Sequence, residues 1–528
     1  MSFSTHINKA LFTPIKAIKK RYVPLLMIYF AYGLSGFSAI ALSFWEKENI
    51  GLSAEQLIEI GVWAFLPWTL KMVFGQMVDS VKIFGSRRKI YVFIGAVFMI
   101  LGSVILASMA SELAWIEMLG GEYNAYLLAA LCSTLGFVIQ DVTADTMTTE
   151  VVDRTKILNN KCVHRSEEEI QSDLAMVQVL GRLALSLAAF SVAGLGGYLA
   201  DTIPYATIFW MTLIIPVVSC LGAIFINLDV LEGAEAPPIN AKILGGGLAF
   251  GAFSISMKFF EVPYSQEIVF VVSLLLLSAM LMLVTKNISA QKKKLLIFAL
   301  IALFLYRATP STGPGLQWWS IDELGFDPKF FGVLAQTGSA MALIFLWFFA
   351  DFIAKKPVRS VLIFLIIVET IMSVPELMLY YDVHTMLGIP ARTLALFDTA
   401  VGSPLVHVSM VPMLALIAFY APAGYRGTWF AIGASLMNLA LTAGSLGTKY
   451  LNKFFVISRE VLDEAGEVIT AANYDDLGVL MIIRMSIALI IPLAGILIFL
   501  KKTPKNSQPI PVQTAESGPI PGRERVEP

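Results

Sequence analysis

Residues 75–89 read GQMVDSVKIFGSRRK, and residues 346–359 read LWFFADFIAKKPVR. In each stretch an apolar segment ends near an aspartate and a basic cluster follows within a few residues. Each stretch also comes after the second apolar segment of its half of the chain. The second copy is weaker, but the pair indicates an internal repeat. Two similar helix bundles related by an axis along the membrane normal would produce such a repeat.

Apolar segments dominate the rest of the chain. Of the 528 residues, 57% are hydrophobic and 15% are charged, and the mean hydropathy is +0.74. An apolar run of about 20 residues is long enough to cross a bilayer as a helix. This composition excludes a water-soluble globular domain. The net charge of -1 provides no basic field that would favour nucleic acid as a partner.

The apolar segments form groups of six, two and six, which predicts an all-α polytopic membrane protein with about 14 transmembrane helices. A polar, proline-bearing stretch, DVLEGAEAPPINAK at 229–242, follows the first six. The predicted parts are a cytoplasmic N-terminal segment at 1–22, a six-helix bundle at 23–228, a linker with two extra transmembrane helices at 229–294, a second six-helix bundle at 295–501 and a disordered cytoplasmic tail at 502–528.

The distribution of basic residues predicts the orientation, because Lys and Arg collect in short cytoplasmic loops. The clusters SRRK at 86–89, KKK at 292–294 and KKPVR at 355–359 fall on the same side as the N terminus, whereas the opposite loops at 111–124 and 320–327 are acidic. We therefore expect an integral protein of the plasma (inner) membrane with both termini in the cytoplasm.

Several ionisable side chains lie deep inside predicted spans. A charge at the centre of a membrane helix costs at least about 2.5 to 3.5 kcal/mol, so such groups should pair or line a watery cavity. We assign these deep charges to substrate binding or coupling, and the set is Lys71, Asp141, Asp145, Arg182, Arg307 and Asp398.

The motif QDVTADTMTTE at 140–150 places Asp141 and Asp145 four residues apart, on one face of the fourth helix. Two carboxylates so close form a protonatable pair unless a cation intervenes. Lys71 on the second helix and Arg182 on the fifth could reach the same layer in the cytoplasmic half of the membrane. For these two cations a structural ion pair and a transport role are equally open.

Arg307 is followed at once by ATPSTGPG at 308–315, whose prolines and glycines must break a span that nevertheless continues. A discontinuous helix of this kind lines cavities in transporters. Near the midplane, Arg307 could bind an anionic cargo, and Asp398 is its candidate resting partner. Trp318 and Trp319 follow the break, either as interfacial belt residues or as a stacking surface.

Four stretches of the chain, at 66–91, 140–150, 308–332 and 421–440, resemble the folate-biopterin transporter family of the major facilitator superfamily. The strings DSVKIFGSRRKIY and LGFDPKFFG are the more specific ones. The resemblance implies the major facilitator fold and a proton-coupled symporter. Its cargo would be a folate, a pterin or a similar anionic small molecule, moved by alternating access.

The same resemblance implies which residues act. The functional positions transferred from the family are Lys71, Asp79, Arg87, Arg88, Asp141, Asp145 and Arg307. Asp79, Arg87 and Arg88 are expected to act in gating, by holding the two halves closed on the cytoplasmic side through ion pairs. The charged insert at 153–169 and the residues MTT before Glu150 depart from the family pattern.

Other functions are less consistent with the sequence. No HExxH, GxSxG or phosphate-binding loop is present, and the histidines are scattered, so we expect no enzyme, no metal and no cofactor. A muropeptide or amino-sugar permease is the main alternative, although it would need fewer intramembrane cations. A transport-inactive membrane receptor would not need the intramembrane charges.

Overall fold

The computed structural model describes residues 18–86, 88–153, 155–158, 161–226, 228, 241–286, 290–354, 357–403, 405, 426–462 and 468–500. The predictions for the tail at 502–528, for most of the N-terminal segment and for Arg87 lie outside these residues.

Helices account for nearly all of the described chain. The first six are α1 at Lys20–Glu48, α2 at Ala54–Ser80, α3 at Lys89–Ala110, α4 at Glu122–Glu150, α5 at Glu167–Thr202 and α6 at Tyr205–Phe225. Two further helices follow, α7 at Ala241–Phe259 and α8 at Ser265–Val284. The last group is α9 at Ala290–Arg307, α10 at Gly315–Asp322, α11 at Pro328–Ala354, α12 at Val358–Tyr380, α13 at 391–403, α14 at Arg426–Phe454 and α15 at Leu477–Phe499.

Local sequence explains where several helices begin and bend. A capping box formed by Ser53 and Gln56 starts α2, because each side chain bonds the backbone N–H of the other residue. Within α2, Pro67 cannot donate a backbone hydrogen bond, and the helix is interrupted at Leu70. The second segment of α2 therefore begins at Lys71, immediately after this interruption.

Among the described residues, nine helices are long and apolar enough to cross a membrane. Their positions agree with the predicted helical membrane fold. The count of 14 spans stays a prediction, because residues such as 406–425 lie outside the described chain.

Two small antiparallel hairpins interrupt the helical pattern. In the first, β1 at Thr155–Leu158 pairs with β2 at Lys161–His164. In the second, β3 at Val461–Leu462 pairs with β4 at Val468–Thr470. The first hairpin lies in the charged insert at 153–169. Both hairpins are short connections between helices, and the described chain is otherwise helical, as the all-α prediction requires.

The N-terminal helices pack mainly on one another: α3 packs on α4, and α1 packs on both α5 and α6. In the C-terminal group, α9 packs on α14 and on α15. The groups meet mainly through α5 with α11 and α2 with α14, and α1 also contacts α11. At the first junction a Cβ on Gly197 would lie 2.5 Å from the Cα of Gly332, so only glycine permits this approach. Helix α8 packs on both α14 and α2.

Following the predicted orientation, we call the end with the α1–α2, α3–α4 and α5–α6 connections the outer end, and the opposite end the inner end. Every described ion pair between the N-terminal and C-terminal helices lies at the outer end. These pairs are Lys47–Asp322 at 2.5 Å, Lys329–Asp201 at 2.9 Å, Lys449–Glu59 at 3.8 Å and Lys453–Glu55 at 4.0 Å. The described conformation is thus held together at its outer end.

Candidate functional site

The site is centred on Lys71, which bridges the two acids of α4. The Nζ atom of Lys71 lies 2.5 Å from Oδ2 of Asp141 and 3.2 Å from Oδ2 of Asp145. The side chain of Asp141 is only 6% exposed, whereas that of Asp145 is 32% exposed. The hydroxyl of Tyr29 donates a 2.9 Å hydrogen bond to Oδ1 of Asp145. A cation therefore does intervene between the two carboxylates.

Arg182 supplies a second positive charge to this site. Its guanidinium lies close enough to interact electrostatically with the carboxyl group of Asp141 and with the phenol groups of Tyr29 and Tyr32. The residue is exposed, and no other described side chain forms an ion pair with it. The structure therefore brings together Lys71, Asp141, Asp145 and Arg182, and leaves the last of these open to a ligand.

Three aromatic rings border the charged cluster. The ring centroid of Tyr32 lies 6.2 Å from that of Trp68 and 5.6 Å from that of Phe137. Lys71 lies over the Trp68 ring, with its Nζ 6.0 Å from the centroid. The sequence reasoning missed these rings. The helical spacing of Tyr29 and Tyr32, three residues apart on α1, was the available signal.

Arg307 lies where predicted, at the end of α9 and directly before a break. Residues 308–314 are not helical, and Gly313 has a φ of +85°, which favours glycine. Helix α14 satisfies polar groups of this break. Thr448 Oγ1 accepts a 2.8 Å hydrogen bond from the Ser311 backbone N–H, and Asn452 donates a 3.1 Å bond to the Thr312 carbonyl. The discontinuous helix is therefore present, and part of its freed backbone is bonded by protein.

Asp398 has different neighbours from those predicted. On α13 it lies near Glu376 of α12 and Arg484 of α15, and Arg484 donates a 3.3 Å bond to Glu376. These two described residues, Asp398 and Arg307, form no ion pair with each other. The expected resting pair is not formed in this conformation, in which Arg484 is the cation that acts on Asp398. Arg484 had been assigned no role from the sequence.

The predicted gating residues pair within the N-terminal helices. Arg88 Nη1 lies 3.1 Å from Oδ1 of Asp79, and Arg88 Nη2 lies 2.7 Å from Oε1 of Glu150. All three residues belong to the inner ends of α2–α4. The two helix groups are paired at the outer end in this conformation. At the inner end, Arg88 forms ion pairs only with acids of the N-terminal helices among the described residues. The predicted ion pairs between the halves are therefore not formed by Asp79 or Arg88 here.

The inserted helix α8 takes part in the closure of the outer end. Gln266 donates a 2.8 Å hydrogen bond to the carbonyl of Glu59 on α2. Lys449 of α14 lies 3.3 Å from Glu267 of α8, and the hydroxyl of Tyr450 donates a 2.8 Å bond to the same carboxylate. Helix α8 thus joins both halves of the molecule.

Replacing Lys449 with Met should loosen the outer end, because it removes the contacts of α14 with Glu59 and Glu267. Half-buried ion pairs of this kind contribute about 1 kcal/mol, so the population of outer-open molecules should rise about fivefold. Spin labels on cysteines introduced at Glu112 and Asp382 would report the distance between the outer ends. Arg392→Met is the matched control, because Arg392 pairs with Asp327 within the C-terminal helices. An unchanged distance distribution in Lys449→Met would contradict this role.

The chemistry available at the site is charge pairing, proton transfer and ring stacking. Within the described ranges, no group of three or more His, Cys, Asp or Glu side chains is placed to hold a metal ion.

The chain is similar to known proteins over most of its length. A model of the BT1 family matches residues 32–509. A folate-biopterin transporter of Synechocystis is 25% identical over 480 residues, covering 90% of this chain and 81% of that protein. Folate transporter 2 of Plasmodium falciparum is 22% identical over 424 residues, covering 80% of this chain and 77% of that protein. The predicted family resemblance is confirmed.

Solved structures show the fold. A POT family transporter in complex with a thioalcohol-conjugated peptide aligns with a TM-score of 0.60 at 12% identity, covering 92% of this chain and 99% of that chain. A nucleoside transporter aligns with a TM-score of 0.57 at 12% identity, covering 91% of this chain and 100% of that chain. These matches confirm the major facilitator fold. Together the comparisons confirm a membrane transport protein and not an enzyme.

Proposed function

The chain belongs to the BT1 family, and we propose that it moves a folate, a pterin or a similar anionic solute across the membrane. It does so by alternating access between two six-helix bundles at 23–228 and 295–501, as a symporter driven by protons. Its place is the plasma (inner) membrane, with both termini in the cytoplasm. The observation that supports this most is the Lys71-bridged acid pair beside the open cation Arg182.

Arg182 suits the carboxylates of such a cargo. A guanidinium binds a carboxylate through two parallel charge-assisted hydrogen bonds, which add geometric specificity to the attraction between the charges. The second cation proposed to bind the carboxylates of the cargo is Arg307. It is half-buried at the helix break in the C-terminal bundle. Cargo would then be held between the two halves of the protein, as expected for this fold.

The aromatic rings suit the heterocycle that folates and pterins share. Trp68 and Tyr32 border the cluster, and planar rings gain stability from offset or edge contacts with aromatic side chains. A cargo with a flat ring at one end and carboxylates at the other would therefore match both parts of the site.

Asp141 and Asp145 are the proposed proton carriers. With Lys71 and Arg182 charged, the four groups sum to zero when both acids are ionised and to one positive charge when one acid is protonated. A net charge in the membrane is costly, so the protonated site favours an anionic cargo that neutralises it. Proton uptake would also release Lys71 from one carboxylate, so that it could meet an anionic cargo together with Arg182.

Uptake by cells that express this chain tests the proposal. Labelled folate and biopterin should be accumulated above the level of cells with an empty vector, whereas labelled anhydromuropeptide should not. Accumulation of the anhydromuropeptide alone would overturn the proposed cargo in favour of a muropeptide permease.

Asp79, Arg87 and Arg88 remain proposed gating residues, acting when the inner end closes. Asp79→Asn should reduce the maximal transport rate about tenfold and change the dissociation constant of the cargo much less, because the residue lies outside the binding cluster. Glu169→Gln is a matched control at the inner end, since Glu169 pairs with Arg165 one helical turn away. An unchanged rate with weakened binding would instead place Asp79 in the cargo site.

A further inference from the structure

A cavity lies among the N-terminal helices, between α1, α3, α4 and α6. Its volume is about 240 Å³, and no charged side chain is among its lining residues. Ser and Thr hydroxyls line the cavity on all four helices, and they come from Ser35, Ser38, Ser103, Ser133, Thr134 and Thr212. Tyr126 also lines it, and its hydroxyl donates to Glu46. We call this space the hydroxyl chamber.

Five of these hydroxyls have no hydrogen bond to any residue that the structure describes. In the described chain, most buried Ser and Thr side chains of the spans bond a carbonyl of their own helix, as Thr143 and Thr212 do. The hydroxyls of the chamber that have no hydrogen bond to a described residue are those of Ser35, Ser38, Ser103, Ser133 and Thr134. At membrane depth, a hydroxyl group without a hydrogen bond raises the free energy of the protein. The chamber therefore favours a polar occupant that can form hydrogen bonds with these side chains.

The hydroxyl chamber adjoins the charged site through a shared wall. Phe137 lines the chamber and also a small cavity that contains Tyr32 and Asp141. On α4 the residues Thr134, Phe137, Asp141 and Asp145 follow one another at intervals of three or four, which places them on one face of the helix. A molecule lying along this face would meet hydroxyls at one end and charges at the other.

We propose that the hydroxyl chamber receives the uncharged heteroaromatic ring of the cargo while the carboxylates of the cargo stay at Lys71 and Arg182. This inference rests on the proposed function and adds a second subsite to it. Entry of the ring requires the Phe137 side chain, which stands between the chamber and the acid pair, to turn aside.

The chemistry of the chamber matches such a ring. Hydroxyls both donate and accept, so they can meet the alternating ring nitrogens, amino group and carbonyl at the edge of a pterin. The apolar side chains of Met99, Leu106 and Phe137 can cover its faces. A lipid chain would leave the hydroxyls unmet, and the absence of charge among the lining residues disfavours an ionic group.

Binding measurements on the purified full chain in nanodiscs test the proposal with three probes. Biopterin has the ring without carboxylates, p-aminobenzoylglutamate has carboxylates without the pterin ring, and folate has both. Ser103→Leu fills the chamber, and Thr134→Val removes a hydroxyl at constant volume. Ser486→Leu is the control, because its hydroxyl bonds its own helix in the C-terminal half.

Ser103→Leu and Thr134→Val should each lower the affinity for biopterin and for folate by about tenfold. The affinity for p-aminobenzoylglutamate should stay unchanged. Unchanged biopterin binding in both variants, with folate still transported, would overturn the chamber and leave the proposed function standing. Equal weakening of all three probes would also overturn it, since the chamber would then only support the fold. Failure of the unaltered chain to bind any probe would overturn the proposed function itself.

Discussion

Replacing both Asp141 and Asp145 with Asn is expected to abolish accumulation of cargo against a gradient. Exchange of cargo across the membrane at equal concentrations should partly survive, because it needs no net proton movement. The reason is that these acids are the protonatable pair of the site, joined by Lys71 at 2.5 and 3.2 Å. We expect the loss of uphill transport to exceed about 100-fold, as for removal of an essential proton carrier.

The double variant also leaves Lys71 without an acidic partner. An unpaired charge destabilises a protein by about 3 to 5 kcal/mol when it is fully buried, and by less at Lys71, whose side chain is 27% exposed. A triple variant that adds Lys71→Met separates this effect from coupling. It should recover most of the thermal unfolding midpoint of the unaltered protein, yet not its uphill transport. Recovery of uphill transport in the triple variant would mean that the acids serve only to balance Lys71.

The second large effect is expected at Arg182. Arg182→Lys keeps the charge but loses the planar guanidinium, so the affinity for p-aminobenzoylglutamate and folate should fall about tenfold, and Arg182→Gln should lower it further. Biopterin, which has no carboxylate, should bind the variants and the unaltered protein alike. Equilibrium binding of the three ligands provides the measurement.

Arg307→Lys provides a comparison on the other half of the protein. If both cations meet the carboxylates, this variant shows the same selectivity between charged and uncharged ligands. Arg182→Lys weakening biopterin as much as folate would assign Arg182 to the fold or the conformational cycle and not to the anion.

Much of the fold could be predicted because membrane helices have a strong sequence signal. Apolar runs and basic loops gave the helical architecture, and ATPSTGPG correctly predicted the interruption after Arg307. The hairpin at Thr155–Leu158 and Lys161–His164 was missed, since a polar insert has no hydrophobic periodicity that distinguishes a strand from a loop.

The site was predictable where residues lie on one helix and less so where several helices meet. The spacing of Asp141 and Asp145 fixed their shared face. Pairing between helices depends on rotation and tilt that the sequence does not specify, so Asp398 was assigned to Arg307 instead of Arg484. Which ion pairs the gating residues form also depends on how the helices pack in a given conformation. With the outer end closed, Arg88 pairs with Asp79 and Glu150 of the N-terminal helices.

The central claim is proton-driven transport of a folate-like solute, and it is tested most directly with the purified chain in liposomes. Labelled folate uptake would be followed with an inward proton gradient, without a gradient, and with the gradient collapsed by a protonophore. The account predicts accumulation above equilibrium only with the intact gradient, and none in Asp141→Asn/Asp145→Asn. Uptake that is equal in all three conditions, or a double variant that accumulates folate like the unaltered protein, would contradict it.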